Sequence, residues 1–434
     1  MAERTLPFLD GLDALPDDAL AAARRAGAAR FDALGLPGAR SELFKYGKLE
    51  RLTGVPFEAA PAEAPAALPG WPAPDGAHAR LVLVNGRYRP DLSDLAALPA
   101  GVTVRGLADA AEDVGGVAPA TGDDHPFLAL NAALATDGVA LEVPAGSGEL
   151  PAVHLVHVAA APGAAPIAAH PRVLLFVGGD STLSVLEHLV GAADGPAVFT
   201  NAVTEAAVGG DGHLRHHRLL TAPQQAVSLF QTRASVGRDA SFDSTSLTID
   251  GGLTRTDTRV GLNAPGATAR VNGATLGRDA AHADHVTRIT HAAPHGTSEQ
   301  TFKSVLDGGA RAAYQGGVVV ERDAAKTDAR QRHDALLLSG SAEADGKPSL
   351  EIYNDDVACS HGNTMGRIDR DALFYLRARG IGEDRARALL VAAFADAVLD
   401  HVAPGGVRTL MRRAAHRWLD MPEDAEDAEA LDAA

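Results

Sequence analysis

The feature that most constrains this 434-residue chain is a punctuated run of strand-like segments. Between Ser235 and Tyr353 turn-forming clusters recur: Gly237-Arg238-Asp239, Ala264-Pro265-Gly266, Gly277-Arg278-Asp279, Pro294-His295-Gly296, Asp307-Gly308-Gly309 and Asp345-Gly346-Lys347. Between them apolar and small polar residues alternate with the period of two that places successive side chains on opposite faces of a strand. The clusters begin 13 to 38 residues apart, as one or two strands per coil of a solenoid would space them. Similar runs lie upstream at 153–159, 172–177, 182–190, 197–203, 214–220 and 226–234, and helical periodicity is essentially absent across that span. An antiparallel sandwich also uses short strands. Two observations favour a right-handed parallel β-helix instead. The turns prefer Gly-Arg-Asp, Gly-Gly and Pro-Gly to hairpin Asn-Gly, and Thr, Ser, Asn and Val alternate as stacked ladders require. Coils of about 20 residues would number about ten. One true hairpin signal stands apart, Asn85-Gly86 after the apolar run 81–84.

The ends of the chain read differently, and a mainly β architecture with helical N- and C-terminal segments is expected. Residues 1–79 form a helical segment, with Asp17 and Asp18 as caps, followed by a Pro/Ala-rich linker; 80–362 form the β-helix core; 363–434 form a C-terminal helical domain with an acidic tail. In that last domain Asp369 caps a helix carrying Leu373 and Phe374. A second helix over 383–401 aligns Leu389, Leu390, Phe394 and Val398 on one face, a basic helix follows with Arg408, Arg412, Arg413 and Arg417, and these helices are expected to cap the solenoid.

Composition narrows the function. The net charge of −17 argues against non-specific nucleic-acid binding. With 45 Gly against 12 Phe, 5 Tyr and 2 Trp, the core must be built from small and aliphatic side chains. No run approaches the roughly 18 apolar residues of a membrane span, and MAERTLPFLDGL lacks a signal pattern, so a cytoplasmic chain without stable membrane association is expected. No GxxxxGK[ST] cradle for a nucleotide and no GxSxG elbow occurs. The single cysteine, Cys359, excludes an intrachain disulfide and any all-cysteine metal site made by one chain.

Seventeen histidines include two clusters, His213/His216/His217 and His282/His285/His291/His295. Positions three apart on a strand face opposite sides, so packing rather than metal ligation is expected of both. The tightest constellation is IYNDDVACSHG at 352–362, where Cys359 and His361 share one face of an extended strand. Thiolate and imidazole suit iron or zinc, yet two ligands leave a site half built, and a small buried Cys359 beside a turn histidine remains the alternative.

These residues resemble the SufB/SufD family of the SUF iron–sulfur cluster assembly system. The segments that carry the resemblance are LVLVNGRYRPDLS at Leu81, STLSVLEHLVG at Ser181, FTNAVTE at Phe199, RTDTRVGLNAPGATARVNGATLG at Arg255, THAAPHGTSEQTFKSVLDGGARAAYQGGVVV at Thr290 and LEIYNDDVACSHGNTMGRID at Leu350. The resemblance implies a non-catalytic scaffold with helical ends, pairing with a SufB-type subunit and a SufC-type ABC ATPase. It implies that His361, with Cys359, faces the subunit interface where iron or a transient iron–sulfur cluster is handled, and that Leu373, Phe374, Leu389, Leu390, Phe394 and Val398 receive the ATPase. The lone cysteine favours a D-type member, and a homodimer is allowed when the chain is isolated. No residue pattern identifies a flavin site. Two alternatives from other classes are a polysaccharide-active β-helix enzyme using Asp355 or Asp356, and a homodimeric structural β-helix without a metal role.

Overall fold

The protein is described by a computed structural model over residues 9, 12, 15–38, 41–47, 49–62, 68–113, 125–192 and 195–421. The acidic tail at 422–434 and the middle of the Pro/Ala-rich run, 63–67, lie outside the described residues.

Strands alternate between two 11-stranded sheets, so that each coil gives one strand to each. The first sheet runs through Gly138–Val143, Arg172–Val177, Val198–Val208, Val227–Val236, Leu253–Leu262, His282–His291, Arg311–Val320 and Glu343–Ile352. The second runs through His78–Val84, Ala152–Ala159, Ser181–Gly191, His213–Thr221, Ser241–Ile249, Thr268–Gly277, Thr297–Leu306, Asp328–Leu337 and Ala358–Gly366. Neighbours along both are parallel; the antiparallel pairings lie near the start, at Asn85-Gly86 and between Thr103–Gly106 and Gly138–Val143. The result is a parallel β-solenoid of about eight coils. Thr268 pairs with Thr297, and Thr297 with Asp328, so a coil takes about 30 residues rather than 20. Two strands and two corners per coil account for the larger repeat.

Corner chemistry explains the punctuation. At successive corners between the first sheet and the second, one residue adopts a left-handed conformation: Asp180, Asp211, Asp239, Gly266, His295 and Lys326. Short polar side chains and glycine tolerate this geometry. The cluster Asp345-Gly346-Lys347 is not a corner but the middle of the strand Glu343–Ile352. Its glycine answers a close approach: a Cβ at Gly346 would lie 1.9 Å from the Asn363 amide nitrogen.

Inward side chains stack in ladders. Leu183, Leu214, Phe242 and Ala269 form an apolar column, and Thr204, Thr232, Thr258 and Thr287 form a threonine column on the facing sheet. Small side chains close this narrow interior, which is why so few aromatics suffice.

Helices cover the outer faces. Near the N-terminus, α1 (Ala21–Leu34), the short α2 (Glu50–Thr53), α3 (Pro126–Leu134) and the helical turn Glu42–Phe44 pack Phe31, Leu52, Phe127 and Phe44 over the first sheet, against the ladder Phe199–Val227–Leu253. Gly27 permits the α1–α3 crossing, since a Cβ there would come within 2.6 Å of the Ala133 nitrogen. No helical periodicity marks α3 in the sequence because it is buried on several sides, and a helix apolar all round has no polar face to show. After the last strand come α4 (Arg370–Ala378), capped by the Asp369 carboxylate, α5 (Glu383–Leu399) and α6 (Gly405–Trp418). Here α5 and α6 do not cap the solenoid end. They lie along the outer face of the second sheet, joining Val391, Val398, Leu410, Met411 and Trp418 to Leu219, Leu247, Leu276, Val305 and Leu336. Arg278 stacks on Trp418 at 4.1 Å, and His217 meets the Ala403 carbonyl at 2.9 Å.

Candidate functional site at the open end

Because the helices lie along the flanks, the last coil ends without a lid among the described residues. Glu343–Ile352 and Ala358–Gly366 each pair on one side only, leaving two parallel strand edges side by side. Ile352, Tyr353 and Met365 are exposed there, at 42%, 57% and 45%. Unpaired edges flanked by apolar side chains are the usual mark of strand-to-strand association.

Ala358–Gly366 directs Cys359, His361, Asn363 and Met365 toward the interior mouth, each above an inward residue of the preceding coil: Ala329, Gln331, His333 and Ala335. Cys359 and His361 therefore share a face, as their spacing predicts. Their environments differ. Cys359 is half-buried in an apolar cluster with Val318, Val320, Ala329 and Leu350, and burial pushes its thiol pKa above the ordinary value. His361 is exposed at the rim. Beside it a groove of about 400 Å³ runs past Glu299, Arg330, Arg332, Asp334 and Ser360.

Below the rim the interior is polar. His333 spans the mouth, with Nδ1 3.1 Å from Asn363 Oδ1 and Nε2 3.3 Å from Ser304 Oγ. Gln300 Oε1 accepts from the hydroxyls of Thr287 (2.5 Å) and Tyr314 (3.2 Å). Tyr314 stacks on Phe302 at 4.4 Å, with His285 and His333 on either side of the pair, and this aromatic stack closes the interior behind the mouth. Burial raises the Tyr314 pKa, so the phenol stays protonated.

The histidine clusters disperse into packing. His216 turns inward, bonded at 2.9 Å to Glu187, while His217 turns outward and His213 meets Ser241 at the surface. His285 bridges Thr256 and Thr275, and His291 bonds Ser298. Glu187 also takes Arg218 at 3.2 Å and Thr204, and these basic partners hold its pKa well below the carboxylate range despite complete burial. Among the described residues no group of three or more His, Cys, Asp or Glu is placed to hold a metal ion. Cys359 and His361 stand two residues apart on one face of the edge strand. Asp355 and Asp356 sit in an exposed turn, the latter paired with Lys326 at 2.8 Å.

The expected docking stripe divides. Val398 is fully buried against the second sheet and so is not open to a partner, while Phe394 packs beside it, partly buried, with Lys303 Nζ 4.5 Å above its ring. They face inward because the sheet face beneath them is itself apolar. Leu389 and Leu390 are half-buried. On α4, Leu373 is half-buried, while Phe374 at 73% and Tyr375 at 56% are the most open large apolar side chains of the C-terminal helices. Sequence reasoning missed Gln331, Asn363 and Tyr375. Gln300, Gln331 and His361 recur at one-coil spacing, a signal that the correct repeat length would have exposed.

A parallel solenoid with an open end is the architecture on which comparison with known proteins supplies the class. Residues 158–394 match the family "SUF system FeS cluster assembly, SufBD core domain", and residues 12–150 match the "SufBD protein N-terminal region". The chain belongs to the SufBD family of iron–sulfur cluster assembly proteins. It is similar to the iron–sulfur cluster assembly protein SufD of Escherichia coli, 31% identical over 86% of this chain and 87% of that protein. An iron–sulfur cluster assembly SufBD family protein of Synechocystis is 28% identical over 92% of this chain and 91% of its own length. SufD of Bacillus subtilis is 25% identical over 66% and 65%.

Proposed function

We propose that this chain is the D-type scaffold subunit of a cytoplasmic iron–sulfur assembly complex, without catalysis of its own. In this reading the open end pairs with a SufB-type subunit, α4 receives a SufC-type ATPase, and iron or a nascent cluster is cargo handled at the subunit interface. The carrying observation is His361, an exposed imidazole on the unpaired edge strand, in a chain of this family. A neutral imidazole is a good ligand for iron, and a second subunit would complete the set. Cys359 contributes less in this reading, because its thiol must first lose a proton that burial favours.

Domain roles follow the same division. Residues 1–79 supply the helices that brace the first sheet, 80–362 the scaffold, and 363–434 the helix α4 that carries the ATPase face. The test is His361→Ala in cells that rely on this system. Iron–sulfur enzyme activity should collapse while the complex still copurifies with its partners. Unchanged activity would remove His361 from the site.

A further inference from the structure

Gln331 sits directly beneath His361 in the inward ladder Gln300–Gln331–His361. It is 4% exposed, yet neither its amide oxygen nor its amide nitrogen has a hydrogen-bond partner among the described residues. This is not the pattern of its immediate neighbours. His333, the next inward residue along the same strand, is bonded at both ring nitrogens, and Gln300 below has its oxygen taken by two hydroxyls. A buried amide with nothing to bond destabilises the fold, and such groups persist where they serve a site.

One rung above that amide is the exposed imidazole. Adjacent rungs stand about 4.8 Å apart, so a small rotation brings an imidazole nitrogen onto the Gln331 amide. Metal-binding histidines characteristically donate their other ring N–H to an oxygen that fixes tautomer and orientation. We propose that Gln331 is the positioning residue for His361: its Oε1 accepts from one imidazole N–H and so presents the other nitrogen, unprotonated, to the mouth. Gln300 Nε2, itself without a partner among the described residues, supplies the second hydrogen bond to the same oxygen, which has two lone pairs. The hydroxyls of Thr287 and Tyr314 hold Gln300 in the orientation this requires. The proposal rests on the reading of His361 as the cargo-handling group.

The test separates the two claims. The full chain is labelled with ¹⁵N-histidine, His361 is assigned by loss of its signals in His361→Ala, and its tautomer populations are read at alkaline pH. One tautomer should dominate in the wild type and in Gln331→Glu, which keeps an acceptor oxygen. A mixture should appear in Gln331→Leu and in Gln331→Met, which keeps the unbranched shape if the leucine variant packs poorly. In cells they should reduce iron–sulfur enzyme activity at least tenfold, at the lower edge of the loss seen when such outer partners are removed. Equal tautomer populations in wild type and the apolar variants would overturn the proposal, as would a glutamate variant that behaves like leucine. Normal cellular activity of His361→Ala would instead defeat the reading of the site, leaving the tautomer result to stand.

Discussion

The middle coils and the last coil use the same inward ladders to opposite ends. In the middle, Glu187 is enclosed with His216, Arg218, His157 and Thr204, and on the outer face Asp257 is enclosed with Arg233, Arg259 and His125, each charge answered within the chain. At the last coil Gln331 has no answering group among the described residues and His361 stands at the rim. Buried polar groups that satisfy one another hold a structure together; those left open are available to something else. Unpartnered buried atoms also occur in the middle, at Gln231 Oε1 and His291 Nδ1, but there no exposed imidazole stands one rung above them as His361 does above Gln331.

That contrast breaks most visibly in acid. Burial lowers the pKa of His154, His170, His217 and His285 to about 3, and of His125, His188, His291 and His333 to about 4. In the unfolded chain each titrates near the ordinary value of about 6.5. Below that pH the unfolded state binds protons that the folded state refuses, so stability falls as pH drops from about 6.5 to about 4. Each tenfold loss of proton affinity on folding corresponds to about 1.4 kcal/mol, so across eight histidines the effect reaches several kcal/mol even when only part of each difference is realised. Glu187 and Asp257, whose pKa values lie well below the ordinary range, contribute stability above the unfolded carboxylate pKa and lose it only as pH falls toward their folded values, so they do not set the onset. Urea midpoints measured across this window should fall steeply, and flat midpoints would refute the buried-neutral assignment.

The second effect is local. Glu187→Ala leaves Arg218 fully buried without its carboxylate, a change that costs about 3–5 kcal/mol. Equilibrium denaturation should show this loss, whereas His361→Ala should shift stability by no more than about 1 kcal/mol. Equal losses at both positions would erase the distinction between middle and end.

A third experiment compares covered with uncovered helix surface. Phe374→Ala on α4 should weaken ATPase association by at least about 2 kcal/mol, as expected for an exposed aromatic anchor, with unfolding unchanged. Val398→Ala should do the reverse, lowering stability through a cavity against the second sheet while ATPase binding by the folded fraction persists. Copurification and thermal denaturation of both variants decide it.

Much of this architecture is legible in the residues, and the failures are instructive. Alternation and turn residues reveal the solenoid, because four of its six left-handed corners between the first sheet and the second take Asp or Gly, with His295 and Lys326 the exceptions. Coil length is underestimated because the corners at either edge look alike, and Asp345-Gly346-Lys347 mimics a corner while serving a close contact with Asn363. Helix α3 is hidden by its burial, and Val398 passes for a docking residue because an apolar stripe does not say which surface covers it. Cys359 and His361 are visible as a pair, since strand spacing alone puts them on one face. Gln331 is not, because its meaning lies in register across coils.

The smallest effect concerns Cys359. Its half-buried position among Val318, Val320, Ala329 and Leu350 is that of a small apolar side chain, and the raised thiol pKa leaves it protonated at neutral pH. Cys359→Ala removes one sulfur from a site already open to solvent on one side, so it should cost at most about 1 kcal/mol of stability. Iron–sulfur enzyme activity in cells should fall by less than it does for His361→Ala, because the imidazole is exposed at the rim while the thiol is half-buried among apolar side chains. A loss equal to that of His361→Ala, in a variant with an unchanged melting temperature, would show that the thiolate is a ligand in its own right and that the partner subunit lowers its pKa on assembly.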